Sequence, residues 1–312
     1  GGQGGGVMEL AVVAEQLGRV AVPWDRTLAG CLALRLLAAT GSEPARAVAG
    51  ATAEGCRSAV LCVDGTAPIA ATDPGAFDGG LLSLSARYVL GAPAATDLIV
   101  PLQTGHGIEL FAVSVDDPGV SLDDQPIVDR TRSLAHVTLT AVPAIQIGEV
   151  DRAELAAAGA AAAVLVAADA FGAAGRMLEL TTQYVVERRQ FGVPVGSFQA
   201  VKHAAAEMLV ATEASRSAVQ YAAWSIDADQ DDLGIQASIA KAYACRAAVA
   251  VADKALFLHG AVGYTWEHDL QFPFKRAKSD ALLFGTSEDH LDRIADELGL
   301  APEPVSGATA AS

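Results

Sequence analysis

The sequence predicts an α+β fold, with helices at both ends of the chain and a β-barrel or β-sandwich domain between them. Three observations predict it. Apolar residues recur at helical spacing over residues 7–55. Short β-rich runs broken by Gly, Asp and Pro turns fill residues 59–142. Ala-rich helical texture then returns after Gly148 and continues to about Leu298. The division read from these changes is an N-terminal helical domain over 1–57, a middle β domain over 58–149 and a C-terminal four-helix bundle over 150–299. A tail over 300–312, rich in Pro, Ala, Gly and Ser, is expected to be disordered.

In the first segment, Met8, Leu10, Val12, Val13, Leu17 and Val20 mark one helix, with Glu15 and Arg19 as an i,i+4 pair. A second apolar helix, Gly30–Ala39, follows Pro23. The β runs are Ala59–Val63, Leu81–Leu90, Asp97–Leu102, Ile108–Val115 and Leu134–Val142. Turns such as Asp78-Gly79-Gly80 and Gly105-His106-Gly107 separate them. His106 and His136 fall in this region and read as loop or surface residues rather than ligands. Beyond it, Ala153–Glu187 is Ala-rich, which permits close helix approach. Ser197 is expected to cap a helix running to about Ile226, with Phe198, Val201, Met208 and Ala211 on one face. Asp232 is expected to cap the next, towards Phe257. A last helical stretch, Lys275–Asp292, is interrupted at Gly285.

The chain of 312 residues is long enough to bury a large core. It is 52% hydrophobic with mean hydropathy +0.33, but every long apolar run has polar interruptions, so no transmembrane helix is expected and no membrane partner. A net charge of −16 argues against nucleic acid, whose phosphates it would repel. Cys31, Cys56, Cys62 and Cys245 lack C-x-x-C spacing. A metal site or disulfide framework is therefore not expected, and free thiols suit a reducing cytoplasm.

Two motifs carry chemistry. Arg188-Arg189-Gln190-Phe191-Gly192 presents a rigid guanidinium fork suited to phosphate oxygens. The stretch Phe257–Ser287 opens with the small-residue turn His259-Gly260-Ala261-Val262-Gly263, where a diphosphate can approach peptide N–H groups. It closes with Phe284-Gly285-Thr286-Ser287. Together these resemble the acyl-CoA dehydrogenase family, in which R-x-x-F-G is followed by a Gly-rich turn and then by E-G-T-S. The resemblance spans essentially the whole chain and is strongest in its last third. It implies helices, a middle β domain and a helical bundle, with FAD as cofactor. It further implies that Arg188, Gln190 and Phe191 reach the FAD pyrophosphate held by a neighbouring subunit. Phe257, His259, Gly260 and Ala261 would complete that surface, although the family often has Gln where Phe257 stands and Gly where Ala261 stands. The opening Gly-Gly-Gln-Gly-Gly-Gly reads as a tag remnant or as the sequel of a missing start, and the family's Gly-rich loop after a first helix pair favours the second.

The departures are as informative as the matches. Phe284 occupies the position of the family's catalytic Glu, so no catalytic residue is assigned. The alternative Glu position, on the helix preceding Arg188, falls within Ala156–Ala168, which holds no acid; Asp169 lies just past it. Glu288, four residues after Phe284, is a candidate displaced base. The family's T-E-P becomes Cys62-Val63-Asp64-Gly65, and its W-x-T/S becomes Tyr88-Val89-Leu90, without the hydroxyl that helps hold the flavin ring. The expectation is a non-catalytic subunit resembling those of bacterial α2β2 enzymes that act on steroid side-chain CoA thioesters. A catalytic acyl-CoA dehydrogenase subunit would be its partner and the main acyl-CoA binder. A self-sufficient homomeric dehydrogenase and a flavin-free scaffold remain open alternatives.

Overall fold

The computed structural model describes residues 4–73 and 75–300; the expected disordered tail lies outside the described residues, apart from its first position. Three helices lead: α1 (Val7–Arg19), α2 (Asp25–Thr40) and α3 (Glu43–Ala53). Ser42 caps α3 by accepting the Ala45 N–H, and Pro44 stands in the first turn, where its missing N–H costs nothing. Gly41 ends α2 in the left-handed conformation that favours glycine.

Two four-stranded sheets then face each other. One has the order β1 (Ala59–Leu61), β4 (Asp97–Thr104), β5 (Gly107–Ser114), β8 (Ile145–Val150). The other runs β2 (Gly75–Asp78), β3 (Leu81–Leu90), β7 (Leu134–Pro143), β6 (Val120–Asp124). Their inner faces, including Leu82, Val89, Val100, Phe111 and Val137, are buried in one continuous core with the helices. The sequence missed β2, β6 and β8, whose residues are mostly exposed or half-buried and so carry little alternation. His136 is on β7, not in a loop; it is half-buried and packs edge-on against Tyr88.

The helical region follows: α4 (Arg152–Glu187), a short hairpin of β9 (Arg189–Gln190) and β10 (Val193–Pro194), α5 (Gln199–Asp227), α6 (Leu233–His259), a 3₁₀ turn over Gly260–Tyr264, α7 (Gln271–Asp280) and α8 (Ser287–Glu297). Asp151 and Glu154 form a reciprocal capping box at the start of α4. Two expected caps differ. Ser197 lies before α5, and its hydroxyl donates to the Pro194 carbonyl instead of capping the helix. Asp232 does stand at the head of α6, but its carboxylate accepts from the Gln236 side chain, not from a backbone N–H.

Small residues set the packing. α1 lies so close to α4 that a Cβ on Gly18 would fall 2.1 Å from the Asp169 carbonyl oxygen, and one on Gly172 2.0 Å from that of Glu15. Val7, Ala11, Ala14 and Gly18 therefore make the buried face of α1. Of the residues expected to form that face, Leu10, Val12, Val13 and Val20 are exposed; the close crossing admits only short side chains. α4 is, among the described residues, the one helix long and apolar enough to cross a membrane, contrary to the expectation of none, and 89% of its most apolar window is buried inside the fold.

Candidate functional site

The α4–α5 junction carries the first motif. Arg188 ends α4: its N–H donates to the Tyr184 carbonyl, and its own carbonyl accepts from Val195. That fixes the backbone and leaves the exposed guanidinium with no salt bridge or hydrogen bond among the described residues. Gln190 pairs with Val193 across the hairpin. The turn between them holds Phe191 at φ 52° and Gly192 at φ 80°, the left-handed pair of a tight hairpin. A phenylalanine there is strained by about 1–2 kcal/mol, and its ring is 91% exposed, edge-on to Phe198.

The second motif sits beside it. His259 is the last residue of α6, buried, with Nδ1 on the Ala255 carbonyl and its ring stacked on Tyr184. Its side chain is turned inward, 3% exposed, and that burial lowers its pKa. Gly260, at φ 61°, donates its N–H to the Leu256 and Phe257 carbonyls. Both findings narrow the expectation that the whole turn from His259 onward offers itself to an anion: the Gly260 N–H is already engaged, and the His259 ring is buried, with Nδ1 on the Ala255 carbonyl and Nε2 without a hydrogen-bond partner among the described residues. Phe257 is 81% exposed. The structure thus brings both motifs to one end of the bundle, with Tyr184 between them, and Tyr264 and Trp266, which follow the second motif in sequence, are exposed.

Phe284, the residue that the resemblance sets at the family's Glu position, lies elsewhere, at the seam between the β domain and α7. Phe284 is buried at φ 52°, its N–H donates to the Gly65 carbonyl at 2.8 Å, and its carbonyl faces His290 Nε2 at 3.1 Å. Burial lowers the His290 pKa to about 4, so Nε2–H acts as a neutral donor. Across the seam Tyr88 also has positive φ, and a Cβ on Gly65 would meet the Tyr88 carbonyl oxygen at 2.1 Å. A cavity of about 360 Å³ remains there, lined by Thr66, Tyr88, Asp129, Ser279, Leu282 and Leu283 among others. Asp129 is its only carboxylate, and it is fully engaged: it accepts from Arg276 Nε on one oxygen and from the Thr131 N–H and hydroxyl on the other. Leu90 is buried in the core. The Cys62 thiol is buried too, and that burial pushes it up to about 12, an inert group. Glu288 is 75% exposed on α8, 3.4 Å from Arg246, and faces solvent. A groove alongside, lined by Asp64, Asp73 and Arg87, brings two carboxylates against one cation.

Behind the seam lies a buried ion cluster that the sequence reading missed. Arg132 pairs with Asp25 at 2.6 Å, with Asp169 at 2.8 Å and with Asp280; Arg276 pairs with Asp129 at 2.9 Å and Asp169 at 3.0 Å. Trp24 Nε1 donates to Asp169, and the buried Lys241 ammonium to the Asp280 and Gly285 carbonyls. Asp169 is thus a structural counter-ion and no candidate base. Burial alone would lower the Arg132 pKa, but Asp280, Asp169 and Asp25 together hold it well above its usual value. Desolvation pushes Asp280 up to about 7 against the pull of Arg132. The residue signals were Arg276 and Asp280, four apart on one helix, and the lone acid Asp169 in an Ala/Val run. No group of His, Cys, Asp and Glu able to hold a metal occurs among the described residues.

Residues 156–299 match the family model for the acyl-CoA dehydrogenase C-terminal domain. Acyl-CoA dehydrogenase IpdE2 of Mycolicibacterium smegmatis is 32% identical over 298 residues, covering 96% of this chain and 81% of that protein. The crystal structure of the ChsE4-ChsE5 complex from Mycobacterium tuberculosis superposes with a TM-score of 0.84 at 28% identity, over 96% of this chain and 83% of that one. A variant of the Tcur3481-Tcur3483 steroid ACAD gives 0.82 at 27%, over 94% and 81%.

Proposed function

This chain belongs to the acyl-CoA dehydrogenase family, and we propose that within it the chain is a non-catalytic subunit that completes the FAD site of a catalytic partner. The observation that carries the reading is Phe284: the side chain at the family's Glu position is an apolar ring, 3% exposed, and no carboxylate faces the adjoining cavity unengaged. Removing an α-proton from an acyl thioester needs such a base, which contributes about 10²–10⁴-fold.

The fit to FAD differs between the two places. At the bundle end, an unpaired guanidinium beside a small-residue turn matches a pyrophosphate. At the seam, Leu90 offers no hydroxyl; the cavity there is lined by Lys275 and Lys278, and the groove alongside it is net acidic. FAD, when bound, supplies the hydride acceptor. The chain's own part is to hold the dinucleotide: Arg188 neutralises the diphosphate, Gln190 and Phe191 set the hairpin edge, and Ala261 with Phe257 forms the facing surface. The resemblance to a ChsE4-ChsE5 complex and to a Tcur3481-Tcur3483 steroid ACAD supports a heteromeric partner; a steroid side-chain CoA thioester as substrate, an α2β2 assembly and a cytoplasmic setting are the further parts of this proposal.

The test is co-expression with a neighbouring open reading frame encoding a Glu-bearing family member, counting FAD per chain. The expected result is a colourless, inactive chain alone and a yellow, active complex with one FAD for every two chains. A chain that binds FAD and oxidises acyl-CoA by itself refutes the reading.

A further inference from the structure

The chain carries a net charge of −16, yet one cavity of about 320 Å³ is lined by two arginines and by no carboxylate. It lies where α2, the end of α3 and the start of β1 meet, away from both places described above. Arg26, Arg57, Cys31, Cys56, Thr27 and Ser58 face it. Arg57 shares its charge with the nearly buried Asp97 behind the lining. Arg26 is exposed and enters no ion pair among the described residues. A cation without a counter-ion in an otherwise acidic protein is a local attraction for anions.

The same cavity contains two of the four thiols, from different elements. Cys56 is exposed in the turn after α3, whereas Cys31 is half-buried and burial pushes its thiol up. Cys62 and Cys245 are buried, with thiols pushed up to about 12 and about 11. Thiol reactivity follows access and neighbouring positive charge, so Cys56 is the thiol placed to react and Cys31 is an internal control.

We propose that this cavity receives anionic low-molecular-weight disulfides and that Cys56 is thiolated there. In the exchange, the Cys56 thiolate attacks one sulfur of the disulfide and a new S–S bond forms. The old S–S bond breaks, and the departing half leaves as a thiolate that takes up a proton. The incoming disulfide is the only oxidant required. Arg26, which has no ion-pair partner among the described residues, attracts the carboxylates of the incoming molecule, while Arg57 stays paired with Asp97. The proposal is independent of the flavin reading.

The experiment treats the intact chain with oxidised glutathione, which is anionic, and in parallel with cystamine, which is cationic, and follows each cysteine by peptide mass spectrometry. Cys56 is expected to be modified first, and faster by oxidised glutathione than by cystamine. Arg26→Ala or added salt is expected to slow the glutathione reaction by about threefold, and Cys56→Ser to abolish it. A Cys56 that prefers cystamine or shows no preference, or a rate indifferent to Arg26→Ala and to salt, overturns the proposal. So does an adduct confined to Cys31.

Discussion

Tyr184 stacks on His259 with ring centroids 4.5 Å apart, and its hydroxyl donates to the His259 carbonyl at 3.3 Å. Because the Tyr184 carbonyl also accepts the Arg188 N–H, one residue fastens both motifs separated by some seventy positions of sequence. The geometry of the proposed dinucleotide edge is therefore set within this chain before any partner arrives.

Arg188→Ala is expected to weaken FAD retention by the assembled complex about tenfold, the worth of a charge-assisted contact to phosphate. The chain's own stability should be unchanged, because the guanidinium has no partner among the described residues. Arg189, whose one contact is to the Gly192 carbonyl, serves as the control. Tyr184→Phe should lower stability by about 0.5–1.5 kcal/mol, read by denaturant unfolding. If FAD is retained equally by the Arg188 and Arg189 variants, the contact is absent and a scaffold role is favoured.

Phe284→Glu restores the family's residue type but is expected to yield no dehydrogenase activity, since Leu90 and the acidic groove remain. It should cost about 2–4 kcal/mol, because an unpaired carboxyl would replace a ring packed in the core at positive φ. Urea unfolding and an acyl-CoA assay on the isolated chain check both halves. Activity gained by this single change would show that the cleft had kept everything else.

The element order was legible in the sequence because Gly, Asp and Pro turns punctuate the β runs and long Ala-rich stretches mark the bundle; periodicity was not the signal in α4 and β4, which are buried nearly all round. α1 shows the limit. Its larger residues carry the helical spacing but point outward, because the Gly18–Gly172 crossing leaves room only for small ones. The bundle-end motifs were legible as well, each being contiguous in sequence. The inward turn of His259 was not, since it depends on Tyr184 from a different helix. The ion cluster was invisible for the same reason: Asp25, Asp129, Arg132, Asp169, Arg276 and Asp280 come from separate elements, and only the folded chain brings them together.

Arg132→Met is expected to cost about 3–5 kcal/mol, the penalty for leaving buried carboxylates without their cation. The guanidinium is fully buried and meets Asp25, Asp169 and Asp280 at once, so the variant should unfold at markedly lower denaturant. Arg87→Met, on an exposed pair with Asp64, should change stability by under about 1 kcal/mol. Similar losses for the two would mean the cluster contributes no more than surface pairs do.

The cluster and its neighbour also predict opposed pH dependences. Asp280 has its pKa raised to about 7, so the folded chain holds a proton that the unfolded chain releases near the usual carboxylate value of 3.8. Its contribution is complete below that value and is lost as pH rises through about 7. His290 has its pKa lowered to about 4 from 6.5, so the unfolded chain takes up a proton first. Its contribution is complete above 6.5 and is lost as pH falls through about 4. Between these limits the two slopes oppose each other in the native protein. A stability deficit of Asp280→Asn relative to the parent should therefore shrink, and a gain should grow, as pH rises from about 4 to 7. His290→Gln should show the reverse, its deficit widening from about pH 4 to 6.5. Unfolding free energies measured across this range for the parent and both variants decide the matter, and parallel curves for all three would mean that neither group titrates differently on folding.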